Sequence, residues 1–93
     1  MYHVYILQSQ KDKRTYVGYT GDIRKRLNEH NSGRVKSTKH RIPFRLLLTE
    51  QFDNAGEAKR REKWWKSSSG RRKLKEIFDS GHPDRMQVGL EIS

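Results

Sequence analysis

Apolar and polar residues follow two rhythms along this chain, and each change of rhythm marks an element. The apolar run His3-Val4-Tyr5-Ile6-Leu7 gives way to a polar connector, Ser9 to Arg14, and then to Thr15-Tyr16-Val17-Gly18-Tyr19. Two β-prone runs joined by a short polar link predict a hairpin, with strands over residues 2–8 and 15–19. Thr20-Gly21-Asp22 is a turn and helix-start signal, and a helix from about Asp22 to Asn31 follows, with Asn31-Ser32-Gly33 as its stop. Phe44 to Glu50 reads as a third strand, nearly continuous in apolar residues and so expected to be covered on both faces. Asn54 is a good N-cap for a second helix running to Lys66. Ser67-Ser68-Ser69-Gly70 reads as a flexible break before a short third helix, in which Leu74, Ile77 and Phe78 are the apolar contacts and Arg71, Arg72, Lys73 and Lys75 the polar face. Beyond Asp79, Met86, Val88, Leu90 and Ile92 alternate with polar or small residues, a pattern open to an edge strand but read here as a flexible tail.

Period-two alternation decides what the hairpin presents. In an odd register, such as one that sets Tyr5 opposite Gly18 and Leu7 opposite Tyr16, two phenols stand together beside a glycine. In an even register the phenols point apart. Gly18 removes a side chain where a backbone or ligand approaches closely, or it marks a bulge. On the first helix Ile23, Leu27 and His30 form the inward stripe, and Arg26 sits at its edge, one turn before His30. On the second, Ala55, Ala58, Glu62 and Trp65 share one face, so Glu62 falls on the buried stripe and needs a cation or a metal beside it. An internal ion pair with an arginine meets that need equally well. Trp64, beside the stripe, is a packing residue or a stacking surface for a base.

Composition narrows the class. With 93 residues, 31% of them hydrophobic, the chain makes one small domain with a thin core. It has no cysteine, which excludes disulfides and cysteine-based zinc sites and favours an intracellular protein. No stretch is long and apolar enough to span a bilayer, so a soluble, cytoplasmic, nucleoid-associated protein is expected. The net charge is +10 and the pI about 10.2. Up to Phe78 there are 20 basic and 8 acidic residues, so the body is more basic than the whole. Such a field attracts polyanions, nucleic acid first among them. The segment from Gly33 to Pro43, with flexible cations and small hydroxyls, resembles a phosphate-contacting rim with little that could be buried. Arg24, Lys36, Lys39, His40 and Arg41 are the nucleic-acid-binding candidates.

The ordered set Val4-Tyr5-Ile6, Tyr16-Val17-Gly18, Thr20, Arg26, His30, Asn31-Ser32-Gly33 and Glu62 resembles the GIY-YIG nuclease family, in particular its small stand-alone bacterial members. The resemblance covers about residues 2–78. It implies an α+β fold of order β-β-α-β-α-α, a small three-stranded antiparallel sheet flanked by helices, with residues 1–78 as the nuclease domain and 79–93 as a tail. It further implies hydrolysis of a nucleic-acid phosphodiester with a single divalent ion, Mg2+ or Mn2+. By position, Tyr5 becomes the general base or part of the path that activates water, Tyr16 its support, Arg26 the stabiliser of phosphate charge, His30 an assisting or positioning group, and Glu62 the metal ligand. Each is a role the reaction requires: an activated water, cations on the non-bridging oxygens, and a metal at the leaving oxygen.

The chain departs from the family pattern at Val4 and Val17, where glycine and isoleucine give the family its name. It also lacks the asparagine that many members carry after the metal-binding glutamate, since no Asn follows Asn54. Glu57 is a fallback metal ligand, although helical spacing turns it from the face of Glu62. The leading expectation is a structure-selective DNA endonuclease acting as a monomer, DNA being favoured over RNA. The alternatives are a catalytically silent DNA- or RNA-binding module and a subunit that docks on a larger repair or recombination partner.

Overall fold

The computed structural model describes residues 1–80, and the alternation from Met86 to Ile92 lies outside the described residues. The elements run β1 (Tyr2–Ser9), β2 (Thr15–Thr20), α1 (Ile23–Asn31), β3 (Phe44–Phe52), α2 (Ala55–Lys66) and α3 (Ser68–Ser80), with a 3-10 turn over Lys39–Arg41 ahead of β3. This is the expected α+β architecture. The sheet is antiparallel in the order β2-β1-β3, and central β1 is buried from Val4 to Leu7. α3 continues through Ser80, past the domain boundary expected at Phe78.

The hairpin has the odd register: Tyr5 pairs with Gly18 and Leu7 with Tyr16. One sheet face therefore carries Tyr5, Leu7 and Tyr16, and it packs against Ile23 and Leu27 of α1. Val4, Ile6 and Val17 face the other way, onto Ala58 and Trp65 of α2 and Leu74, Ile77 and Phe78 of α3. The unbroken apolar run of β3 has a specific cause. The β1–β3 register shifts between Ile6 and Leu7, so Leu48 faces Ile6, Leu46 faces Leu7, and Leu47 is the extra residue of a bulge. Leu47 and Leu48 enter the α2 side of the core, while Leu46 packs on the α1 side.

Helices α1 and α2 begin as the sequence predicts. Asp22 accepts from the Lys25 N–H, and Asn54 accepts from the Glu57 N–H. The Asn54 amide also donates to the Glu57 carboxylate, which makes Glu57 a capping partner. The expected flexible break at residues 67–70 is instead a tight corner. Ser67 caps α2 through its N–H to the Trp64 carbonyl, its hydroxyl accepts from the Gly70 N–H, and α3 starts at the next residue. A Cβ on Gly70 would lie 2.2 Å from the Trp64 carbonyl oxygen, so only glycine lets the two helices meet this closely.

Candidate active site

Tyr5 stands on the central strand, its ring directed across the neighbouring β2 position. That position is Gly18, where a Cβ would fall 2.5 Å from the Tyr5 hydroxyl and 3.2 Å from the Tyr16 ring. Gly18 is therefore the floor on which the phenol lies, and the choice left open between bulge and close approach is settled as close approach. Gly18→Ala forces the phenol aside; a loss of about 1–3 kcal/mol is expected for such overpacking, read as a lowered urea midpoint at unchanged slope.

Two side chains of α1, one turn apart, converge on the Tyr5 oxygen. Arg26 Nε donates to it at 3.3 Å, and His30 Nε2 lies 3.1 Å away. The Tyr16 ring stands edge-on to His30 at 4.9 Å between centroids and 6.3 Å from Tyr5. The four candidates Tyr5, Tyr16, Arg26 and His30 thus form one cluster. Arg26 also bonds Glu29 Oε1 at 3.2 Å and opens into a recess of about 430 Å³ that it shares with Thr20 and Lys25. Among the described residues the Tyr16 hydroxyl bonds to no protein group, which leaves it free for a ligand.

The loop from Gly33 to Pro43 contributes a residue that no local signal in the sequence identifies. Thr38 is fully buried, and its hydroxyl lies 2.9 Å from His30 Nδ1. The same hydroxyl donates to the Val35 carbonyl at 3.4 Å, so it accepts from Nδ1–H. That assigns the proton of the neutral imidazole to Nδ1 and makes Nε2 the acceptor of the Tyr5 hydroxyl. One directed chain results: Arg26 N–H to Tyr5 oxygen, Tyr5 O–H to His30, His30 N–H to Thr38. The expectation that little in this loop is buried fails at Thr38, because the buried imidazole requires a partner on its second nitrogen. The loop is itself anchored by Asn31, whose amide donates to the Phe44 carbonyl at 3.1 Å and accepts from the Phe44 N–H at 2.6 Å. Asn31 is thus more than a stop signal, since it copies a strand partner for the start of β3.

The electrostatics follow from burial. Desolvation pushes the Tyr5 phenol above its ordinary pKa, the Arg26 hydrogen bond pulls it down, and Tyr16 and the charge of Glu62 push it up again. His30 is lowered to about 4, first by burial and then by the Arg26 charge, so it is neutral at pH 7. An unfolded imidazole takes its proton near pH 6.5, whereas the folded one resists to about 4. Between these values the unfolded chain binds the extra proton, and stability is lost as the pH falls from 6.5 toward 4. The loss is on the order of 3 kcal/mol. Urea unfolding at neutral and acidic pH is expected to show this slope in the wild type and a shallower one in His30→Gln.

Glu62 occupies the predicted stripe of α2, its side chain largely buried at 18% exposure. Its ion-pair partner is Lys66, one turn on, at 3.5 Å and itself 53% exposed. The pair is loose, and the Glu62 charge is still felt by Tyr5. A carboxylate so placed fits a hard divalent cation that keeps most of its waters and takes its remaining ligands from substrate oxygens. Among the described residues no group of three or more His, Cys, Asp or Glu is arranged to hold a metal. The tightly paired carboxylate is a different one. Glu50 receives Arg61 Nε at 2.9 Å, Arg61 Nη2 at 3.1 Å and Trp65 Nε1 at 2.8 Å. The Arg61 guanidinium also lies over the Trp64 ring at 4.1 Å, and both Trp64 and Trp65 belong to the core packing. Glu50 was legible in principle, because it alternates with Leu48 and Phe52 on an inward face.

Among the described residues, none of the nucleic-acid candidates bonds through its side chain to Tyr5, Tyr16, Arg26 or His30. Arg24 lines a shallow recess with Ile23, Leu27 and Leu46. Lys36, Lys39 and His40 are exposed. Arg41 is engaged, donating to Asp12 at 3.0 Å and to the Thr15 carbonyl at 3.5 Å, with its guanidinium 5.6 Å from the Phe44 ring centre. No helix among the described residues is long and apolar enough to cross a membrane.

Residues 1–75 match the GIY-YIG catalytic domain. The UPF0213 protein YsiG of Lactococcus lactis is 50% identical over 66 residues, which are 70% of this chain and 62% of that one. The match thus spans less than two thirds of that relative. The UPF0213 protein of Syntrophus aciditrophicus is 42% identical over 86 residues, covering 90% of this chain and 95% of its own. The solution NMR structure of the UPF0213 protein BH0048 from Bacillus halodurans aligns over 100% of both chains at 37% identity with a TM-score of 0.55. The chain therefore belongs to the GIY-YIG family, alongside the small UPF0213 proteins.

Proposed function

We propose that this protein is a divalent-metal-dependent endonuclease that hydrolyses DNA phosphodiester bonds and selects its substrate by shape. The observation that carries the reading is the Tyr5 oxygen held between an Arg26 donor and a His30 acceptor. A phenol whose pKa is raised is a poor free base, but this one needs no free phenolate. Its remaining lone pair can accept from a water while its own proton passes to His30 Nε2. The water oxygen then forms its bond to phosphorus, the phosphorus–oxygen bond to the leaving group breaks, and the proton rests on the imidazole until product departs. Burial, which keeps His30 neutral, leaves Nε2 free to accept. Arg26, half-exposed at the recess, offers its outward N–H groups to a non-bridging oxygen, and the unengaged Tyr16 hydroxyl lies beside it. A single Mg2+ or Mn2+ held by Glu62 supplies positive charge at the leaving oxygen.

Shape selection follows from size, since a domain with principal extents of 32 × 32 × 27 Å offers little surface for reading a long sequence. A monomer in the cytoplasm, at the nucleoid, serving a repair or recombination process is the setting that fits. The test is incubation of nicked, flapped and intact duplex DNA, and of RNA, with protein in Mg2+ or chelator. Metal-dependent cutting of branched DNA supports the proposal. Tight binding with no product under any metal assigns the protein to the silent binding modules instead.

A further inference from the structure

A second concave surface lies beside the catalytic cluster. A groove of about 670 Å³ runs between the β1–β2 hairpin tip and α3, lined by Lys13, Arg14, Arg71, Leu74, Lys75 and Phe78 together with Thr15 and Arg41. Arg71, Leu74, Lys75 and Phe78 are spaced i, i+3, i+4, i+7, so α3 turns one stripe into the groove and leaves Arg72 and Lys73 off it. Among the described residues the side chains of Lys13, Arg14, Arg71 and Lys75 have no acidic partner. Thr15, Arg71 and Leu74 also line an adjoining recess that contains Tyr16 and Lys66, the partner of Glu62. The groove therefore reaches Tyr16, one member of the catalytic cluster.

The hairpin tip is built to hold its cations in place. The Ser9 hydroxyl accepts from the N–H groups of Lys11 and Asp12 and donates to the Arg41 carbonyl at 2.6 Å. Asp12 accepts from the Arg14 N–H and from Arg41, and its carboxyl is held below the usual range, chiefly by the Arg14 N–H. Lys13 has φ 64, in the left-handed region that glycine or asparagine occupies more cheaply. A lysine kept there at a cost of about 1 kcal/mol points to use of its side chain.

We propose that this groove is the track for a single-stranded nucleic-acid arm leading to Tyr5, with phosphates on Lys13, Arg14, Arg71 and Lys75 and a base against Phe78. The apolar floor between the cations selects a single strand over a duplex, because base faces are free to stack only when unpaired. The inference rests on the nuclease reading for its route into the site, and it gives the selected shape a cause: a flap or splayed end supplies such an arm.

The experiment measures anisotropy of a labelled oligothymidylate in chelator across a salt series. Arg71→Gln with Lys75→Gln is compared with Arg72→Gln with Lys73→Gln, which removes the same charge from the same helix off the stripe. The groove pair is expected to lower the salt slope by about 0.7 for each cation removed, and the off-stripe pair to leave it nearly unchanged. Lys13→Asn, which keeps the left-handed conformation, acts like the groove pair, and Phe78→Leu, measured well below its own melting point because Phe78 also packs on the core, weakens binding roughly five- to a hundredfold. Equal effects of the two pairs overturn the proposal, as does a polyglutamate peptide that displaces the oligonucleotide at matched concentration. Binding through the groove without cleavage under any metal sinks the nuclease reading alone. Cleavage of flapped DNA by a groove pair that binds and cuts like the wild type sinks the groove alone.

Discussion

Glu62→Gln is expected to lower metal-dependent cleavage on the order of 10³-fold or more while leaving fold and binding intact. A metal at a leaving oxygen contributes several kcal/mol of transition-state stabilisation, and each 1.36 kcal/mol is a factor of ten. No other acid is placed to replace it: Glu57 is occupied at the α2 cap, Glu50 by Arg61 and Trp65, and Glu29 by Arg26. The cost to stability is small, within about 0.5 kcal/mol, because the lost partner is an exposed, loosely paired Lys66. A second readout does not depend on turnover. The Glu62 charge raises the Tyr5 phenol, so the glutamine variant is expected to titrate Tyr5 at lower pH than the wild type, as followed by NMR. Wild-type turnover in Mg2+ by this variant removes the single-carboxylate metal site from consideration.

Tyr5→Phe is expected to reduce cleavage by about 10²–10⁴-fold, the usual contribution of a positioned proton-transfer group. It also leaves His30 Nε2 and Arg26 Nε without their shared partner, which costs about 1–3 kcal/mol of stability. Activity per folded molecule must therefore be compared after the melting point is known. A structural role alone is separated from the relay by combining variants. Groups that act as one unit are not additive, so Tyr5→Phe with His30→Gln is expected to lose no more than the worse single variant. A double variant whose losses multiply shows that the two side chains act independently.

Much of this site is written locally. The sequence order Tyr5, Tyr16, Gly18, Arg26, His30 needs only strand alternation and helical spacing to bring two phenols, a guanidinium and an imidazole to one sheet face, given an odd register. The register depends on burial. The odd pairing sends Val4, Ile6 and Val17 together into the α2 side of the core, and a slip of one residue would expose them. Glu62 is located by the same periodicity, but its partners are not, because the stripe on α2 says which side is inward and not which donors other elements bring there. That is why Glu62 keeps only a loose pair with Lys66, while the fully engaged carboxylate is Glu50 on β3.

The sequence by itself determined the order of elements, the caps of α1 and α2 and the charge of the body, since these depend on composition or on neighbours within a turn or a hairpin, whereas the meeting of the four side chains also needed the odd register that packing chose. Only the tertiary structure decided that Thr38 closes the back of His30, that Asn31 binds the start of β3, that residues 67–70 form a corner, and which cations of α3 face a groove. These depend on pairs far apart in the chain, such as Ser9 with Arg41 or Lys13 with Phe78. A buried polar group must find a partner wherever the packed chain brings one, and no local rhythm of residues specifies that encounter.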